Sequence, residues 1–437
     1  IIINIMSKRY LDIRPANSNA SQSYRDGRPV ISFTIAESEE VLIPSSVRFC
    51  GKLHVYKNGA RERVAAGDPL AMDSRSSMWS IFDQVVLSSA TSKQTIEHIR
   101  HANRFYSSYL GLTSSEQSLI GHFGETGLTL PSTNGQKASV VEEGVGTNCN
   151  EFCIQIPCGV LGGTSAIPLS RTDGIGGLTL DLFLAPDSMV LFNTSASSAA
   201  EKGIDGAFYE LTECKLIAEV HTPTEAEAKE VADMGGFEYN SVAGYYSTIN
   251  STNANINFGL GLSRVESLFM NFVPSNFLNN IEENSLQTII PLTSAGAIAD
   301  LSQVVFTKGG ARYPLDYNID TQYRLDTTNK KVDPQVIRNF MNAVVPFSKI
   351  THTSITPTNT GKRYTSNDNS VLEGGSLYGV GVAYDILGST AGGDFSQETF
   401  GAQIDLALDD DNPISAFIFV HSKNTILFKN GQIEVVS

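Results

Sequence analysis

Two histidines three residues apart, in Glu97-His98-Ile-Arg-His101, come nearest in this chain to a metal-binding spacing. On a helix they would share a face. A zinc-protease helix needs its glutamate between histidines four apart, and here the glutamate precedes both, with no third ligand at a recognisable distance. Solvated helix-face histidines are therefore the better reading. Asp409-Asp-Asp-Asn412, before Pro413, carries enough oxygen to attract calcium. It lacks the alternating ligands and distal glutamate of a calcium loop, so it reads as an acidic turn.

The five cysteines do not make a zinc site either. Cys149, Cys153 and Cys158 are spaced by three and four residues instead of the two of a zinc half-site, and Cys50 and Cys214 stand apart. They read as reduced, buried thiols behaving as small apolar groups, in keeping with folding in a reducing compartment. The glycines of Gly159-Val-Leu-Gly-Gly163 and Gly259-Leu-Gly261 lead to no phosphate-binding lysine and no third glycine of a dinucleotide turn, so they read as loop and bulge glycines. No G-x-S-x-G elbow and no Cys/His pair is present. Asn19, Asn193 and Asn250 open glycosylation triplets, which carry little weight without a secretory signal. The chain offers no catalytic, cofactor-binding or metal-binding set, and an enzyme is not expected.

Bulk composition narrows the classes further. The 31 basic side chains against 46 acidic ones give a net charge of -15, without any dense Lys/Arg cluster, which argues against direct contact with nucleic acid. No apolar stretch is long enough to span a membrane. The opening Ile1-Ile-Ile-Asn-Ile-Met6 lacks an initiator methionine: either Met6 is the true start and five residues are extra, or a leader was removed. With 437 residues, two domains are the natural expectation.

The order of elements gives those domains. Residues 1–28 are polar and aperiodic from residue 7 on, and read as an N-terminal arm outside the core. A first β domain over 29–221 begins with the alternation of Ile31, Phe33 and Ile35, continues through Arg48–Tyr56 and Met78–Leu87, and reaches a helix over Thr95–Leu112 with Ile96, Ile99, Ala102, Tyr106 and Tyr109 on one stripe. A long polar stretch, the alternating strand Leu178–Leu184 and the closing strand Ala207–Val220 follow. Residues 222–236 form a connector, an acidic helix stopped by Gly235-Gly236. The second β domain, 237–437, replays the plan. Its helix starts at Asp333-Pro334, with Val336, Ile337, Phe340, Met341 and Val344 as the buried stripe. Its alternating strand is Gln403–Leu408, and Ile414–Val436 closes it with a hairpin at Asn430-Gly431. The helices lie about 240 positions apart and the alternating strands about 224, as one module used twice would place them. Polar stretches at 113–150, 193–206 and 348–375 are expected to crown one end.

Specific residues then resemble a known family. Phe152-Cys-Ile-Gln-Ile-Pro-Cys-Gly-Val-Leu-Gly162, Ala166-Ile-Pro-Leu-Ser-Arg-Thr-Asp-Gly174 and Leu178–Leu184 resemble the first-domain signature of double jelly-roll major capsid proteins, in the flavour of polinton-like viruses and virophages. Ser263-Arg-Val-Glu-Ser-Leu-Phe-Met270, Gly309-Gly-Ala-Arg-Tyr-Pro314 and the closing Phe417–Val435 stretch extend the likeness, which runs as spaced patterns over nearly all of 29–437. The resemblance implies an all-β chain of two tandem eight-stranded jelly rolls, each with one short helix inserted. It implies a major capsid protein of an icosahedral double-stranded DNA virus, located in the virion shell and forming pseudo-hexagonal homotrimers that meet neighbouring capsomers and penton or minor capsid proteins.

In such an assembly the arm, with Arg14, Arg25 and Arg28, is a candidate to reach a neighbour, a minor protein or an internal membrane. The rival from another class is a receptor- or carbohydrate-binding spike using its long loops. A sugar platform needs exposed aromatic rings, and the only tryptophan, Trp79, falls in an expected strand.

Overall fold

The computed structural model describes residues 8–17, 21–65, 67–73, 76–113, 137–139, 150–156, 158–169, 177–286, 299–313, 319–320, 334–351, 379–384, 392–408, 413–429 and 432–437. The first half contains eight principal strands: β1 (Lys8–Ile13), β2 (Val30–Ile35), β3 (Val41–Tyr56), β4 (Phe82–Ser89), β5 (Thr95–Arg100), β6 (Asn150–Gln155), β7 (Leu178–Leu184) and β8 (Phe208–His221). They form two antiparallel sheets, ordered β1-β8-β3-β6 and β2-β7-β4-β5. The second half repeats this with β9 (Gly236–Ile249), β10 (Asn253–Gly259), β11 (Val265–Pro274), β12 (Ala299–Lys308), β13 (Ala311–Arg312), β14 (Val380–Ala383), β15 (Thr399–Leu408) and β16 (Ile414–Lys429). Its sheets run β9-β16-β11-β14 and β10-β15-β12-β13. Counted from the first strand of each half, both are 1-8-3-6 facing 2-7-4-5, the connectivity of a jelly roll. The chain is two tandem jelly rolls, built alike.

Alternation explains each sandwich. Ile31, Phe33 and Ile35 of β2 are fully buried, and Leu182, Leu180 and Leu178 of β7 lie beside them in register. Phe49 of the facing sheet meets Phe33, Phe82 and Phe152 at ring separations of 5.9, 5.7 and 5.2 Å, which fills the space between the layers. In the second roll Phe306 and Phe400, on the neighbouring strands β12 and β15, are buried with their rings 6.0 Å apart.

Helices α1 (Ala102–Thr113) and α3 (Pro334–Val344) each follow the fifth strand of their roll and precede the sixth. Between the rolls, α2 (Glu225–Asp233) is closed at its start by a reciprocal pair of hydrogen bonds, Glu227 N–H to Thr224 Oγ1 and Thr224 N–H to Glu227 Oε2. No residue of α2 is buried, as its acidic sequence requires.

Four expectations are corrected. The helix read over Thr95–Leu112 is a strand, β5, followed by α1. Ile96 and Ile99 are buried on the strand, where β5 pairs with β4, and His101 at φ 55° turns the chain between the two elements. The segment read as an arm outside the core contains β1, which pairs along its whole length with β8 and completes the first roll's outer sheet. Its physical basis is a long-range ladder that local periodicity does not reveal. Strand β4 begins at Phe82; Met78 and Trp79 lie in the preceding 3-10 turn Ser77–Ile81. The 193–206 stretch does not stand out as a crown, because Asn193 and Ala199 dock on the second roll. Most of the other two polar stretches, Asp409–Asn412, Cys149 and the Asn430-Gly431 turn lie outside the described residues. The strand after that turn, β17 (Gln432–Val436), pairs back onto β16 from Lys429↔Gln432 to Thr425↔Val436.

Candidate functional site: the seam between the rolls

A strand covered on one face alternates; a strand covered on both does not. In the second roll β11 is buried at all ten positions, Val265 to Pro274, and β16 is continuously buried from Ile414 to Ser422. Their second cover is the first roll. Phe269, Asn271, Phe417, Phe419 and His421 share the outward face in register, and Phe105 of α1 inserts among them. Its ring lies 6.3, 5.4 and 5.6 Å from Phe269, Phe347 and Phe419. Phe340 and Ala343 of α3 pack on the same sheet at Gly379 and Gly381. Both inserted helices therefore serve the seam.

Polar groups fix its register. Glu97, on β5, is fully enclosed; its Oε1 accepts from Gly159 N–H (3.1 Å) and Ser241 Oγ (3.1 Å), and its Oε2 from Val160 N–H (3.1 Å) and Cys158 Sγ (2.9 Å). Burial raises its pKa, and the four donors oppose that rise. Tyr239 Oη donates to Ile96 O at 2.7 Å, and Asn271 Nδ2 donates to Ser108 Oγ. Arg104 is buried beneath the Phe417 ring, 4.2 Å from its centroid, and donates to Ser285 O. Burial lowers its pKa to about 10, so it stays charged at neutral pH. Asp73 Oδ2 takes bonds from Ser107 Oγ (3.2 Å) and Asn284 Nδ2 (3.0 Å), tying residues 275–286 of the second roll to the first. Asn193 Nδ2 donates to Glu282 Oε2 at 2.9 Å in the same region.

Backbones approach closely where side chains are absent. A Cβ on Gly159 would stand 1.6 Å from Asn240 O, and one on Gly244 would stand 2.2 Å from Arg100 O. At the far side of the seam Glu266 receives Lys423 Nζ at 2.5 Å and Lys349 Nζ at 2.9 Å, with His421 Nδ1 at 3.1 Å. Burial works against the Glu266 carboxylate, but these three partners outweigh it and hold its pKa well below the usual range. Burial keeps His421 low, so the imidazole is neutral.

The residues singled out by sequence fall mostly elsewhere. His98 and His101 are not helix neighbours: His98 lies on β5 and His101 in the turn that follows it. His98 Nε2 meets Gln84 Oε1 at 2.8 Å, and His101 stacks edge-on against Phe417. Arg14 is exposed. Arg25 lies 4.8 Å over Phe208 and donates to Gly206 O, and Arg28 binds Ser21 and Asp26, so both are engaged by their own chain. Asn193 is buried with its amide committed, which removes it as a glycan acceptor. Trp79 is 5% exposed with Nε1 donating to Gln155 O, so it is no sugar platform. Sequence reasoning missed Glu97 as the seam acid and Gly159 as its contact point; the glycine cluster at 159–163 was the available signal.

Two like rolls fastened side by side through a buried seam define a double jelly-roll protein. Solved structures with this fold include the Faustovirus major capsid protein (TM-score 0.59, 10% identity, 97% of this chain and 91% of that one), a chain of the Sputnik virophage structure (0.57, 10%, 98% and 88%) and the mavirus major capsid protein (0.51, 9%, 98% and 89%). No protein-family model matches the chain, and no curated protein matches it.

Proposed function

We propose that this chain is the major capsid protein of an icosahedral double-stranded DNA virus and that three copies close into a pseudo-hexagonal capsomer of the virion shell. The observation that carries this is the repeated 1-8-3-6 and 2-7-4-5 connectivity of two rolls locked by one buried seam. A rigid pair of like units offers a threefold ring a near sixfold outline, and closed rotational symmetry limits growth to a defined assembly. The capsid proteins named above share the fold over nearly the whole chain. In this reading the work of the protein is burial of surface between subunits and with neighbouring capsomers, penton or minor capsid proteins, without catalysis. Arg14, exposed beyond the end of β1, is the arginine of the N-terminal segment best placed to meet a neighbour or a membrane.

Native mass measurement tests the proposal. A stable species near three times 47.1 kDa is expected; a monomer at all concentrations refutes it. A chain cut after Gly236 should give halves that do not trimerise.

A further inference from the structure

Cys50 and Cys153 face each other across neighbouring strands. They are register partners on β3 and on the edge strand β6 of the first roll's outer sheet, and their Sγ atoms stand 2.7 Å apart. Directly opposed residues of an antiparallel pair hold their Cα atoms about 4.5–5.5 Å apart, within the roughly 4.4–6.8 Å that a disulfide bridges. The backbone is thus already placed for a bond. Phe49, Phe152 and Ile154, their chain neighbours, point into the core, which leaves both thiols on the outer face; Cys153 is exposed and Cys50 is covered.

We infer that Cys50 and Cys153 are a redox-closed staple, converted to a disulfide by exchange with a small-molecule disulfide such as oxidised glutathione. The Cys153 thiolate attacks one sulfur of the small disulfide, whose S–S bond breaks and releases one thiolate. Cys50 then loses its proton to solvent and attacks Cys153 Sγ, expelling the second thiolate. Two protein thiols are oxidised and one small disulfide is reduced to two thiols. The order follows from access, and burial together with the adjoining Cys153 pushes the Cys50 thiol up to about 12, which disfavours it as the first attacker.

The staple would fasten the edge strand that follows the long connection after α1. The two cysteines are 103 residues apart, so the bond closes a long loop, where a cross-link restricts the unfolded chain most. A shell subunit made in a reducing cell would acquire it on meeting oxidising surroundings. This goes beyond the capsid reading, and only its timing depends on that reading.

The test uses purified full-length protein, reduced and then equilibrated in glutathione buffers of graded oxidation, followed by alkylation and peptide mapping. Two of the five cysteines should lose alkylation together and appear as one Cys50–Cys153 linked peptide, with a rise in thermal midpoint. Cys153→Ser, at an exposed position, should abolish the link and the rise while keeping the midpoint of the reduced parent. A Cys153 that stops at the mixed disulfide, links to another cysteine, or stays alkylatable in the most oxidising buffer overturns the inference. None of these readouts involves assembly, so the capsid proposal stands or falls separately.

Discussion

Replacing Gly159 by alanine should prise the two rolls apart. The added Cβ would lie 1.6 Å from Asn240 O, where real Cβ atoms essentially never come closer than 3.0 Å, and the obstacle is backbone on both sides. One roll must therefore retreat by about 1.4 Å, in an interior packed too densely to absorb it. Overpacking of this kind costs about 1–3 kcal/mol. The retreat also stretches the bond from Ser241 to Glu97 across the seam, worth about 1 kcal/mol, for a total loss of about 2–4 kcal/mol. Urea unfolding followed by Trp79 fluorescence reads the first roll, and limited proteolysis at the exposed helix α2 reads the separation of the halves. Midpoints are the quantity to compare, since a chain of two domains need not unfold in one step. Gly259→Ala is the control, because nothing lies within 4 Å of its Cβ position. A Gly159→Ala protein with the midpoint, cleavage rate and oligomer yield of the control would refute the seam as described.

Glu97→Gln sets an amide –NH2 against buried N–H and S–H donors and should cost about 1–3 kcal/mol in urea unfolding, despite removing a buried charge. Phe105→Ala empties the centre of the aromatic cluster and should lower stability by about 3–5 kcal/mol, with faster cleavage at α2. Asp187 carries a pKa raised to about 6 by burial, above its ordinary 3.8; a raised acid favours the fold while protonated, so its contribution is full below the ordinary value and is lost as pH rises through about 6. Asp187→Asn should flatten thermal stability across that window, and an unchanged pH slope would count against the assignment.

The parts of the fold that were legible in the sequence are those with one wet face. β2 and β7 alternate because one side is solvent-facing, and α2 reads as a solvated helix because nothing covers it. The seam was hidden for the same reason in reverse. Covered on both sides, Ile414–Ser422 gives a continuous run without period, which identifies burial but not the burying partner. β1 was missed because its partner β8 lies about 200 residues away and its outer side chains Lys8, Tyr10 and Asp12 are polar or exposed. The misplaced start of α1 came from Ile96 and Ile99, whose spacing fits a helix as well as a strand crossing into one. Glu97 looked like a surface acid beside two histidines; its ligands Cys158 and Ser241 come from 61 and 144 residues further along. The opposition of Cys50 and Cys153 was hidden because spacing along the chain says nothing of register across a sheet.

The pairing of β1 with β8 also sets a schedule for synthesis. Lys8–Ile13 emerges from the ribosome about 200 residues before Phe208–His221, its only ladder partner among the described residues. At ordinary translation rates that is a wait of roughly ten to forty seconds. The nascent strand spends this interval with its amides paired only to water, able to zip onto another emerging copy. Its lysine, arginine and aspartate keep it hydrated meanwhile, and yield of correctly folded chain should be sensitive to how quickly the first 221 residues are delivered.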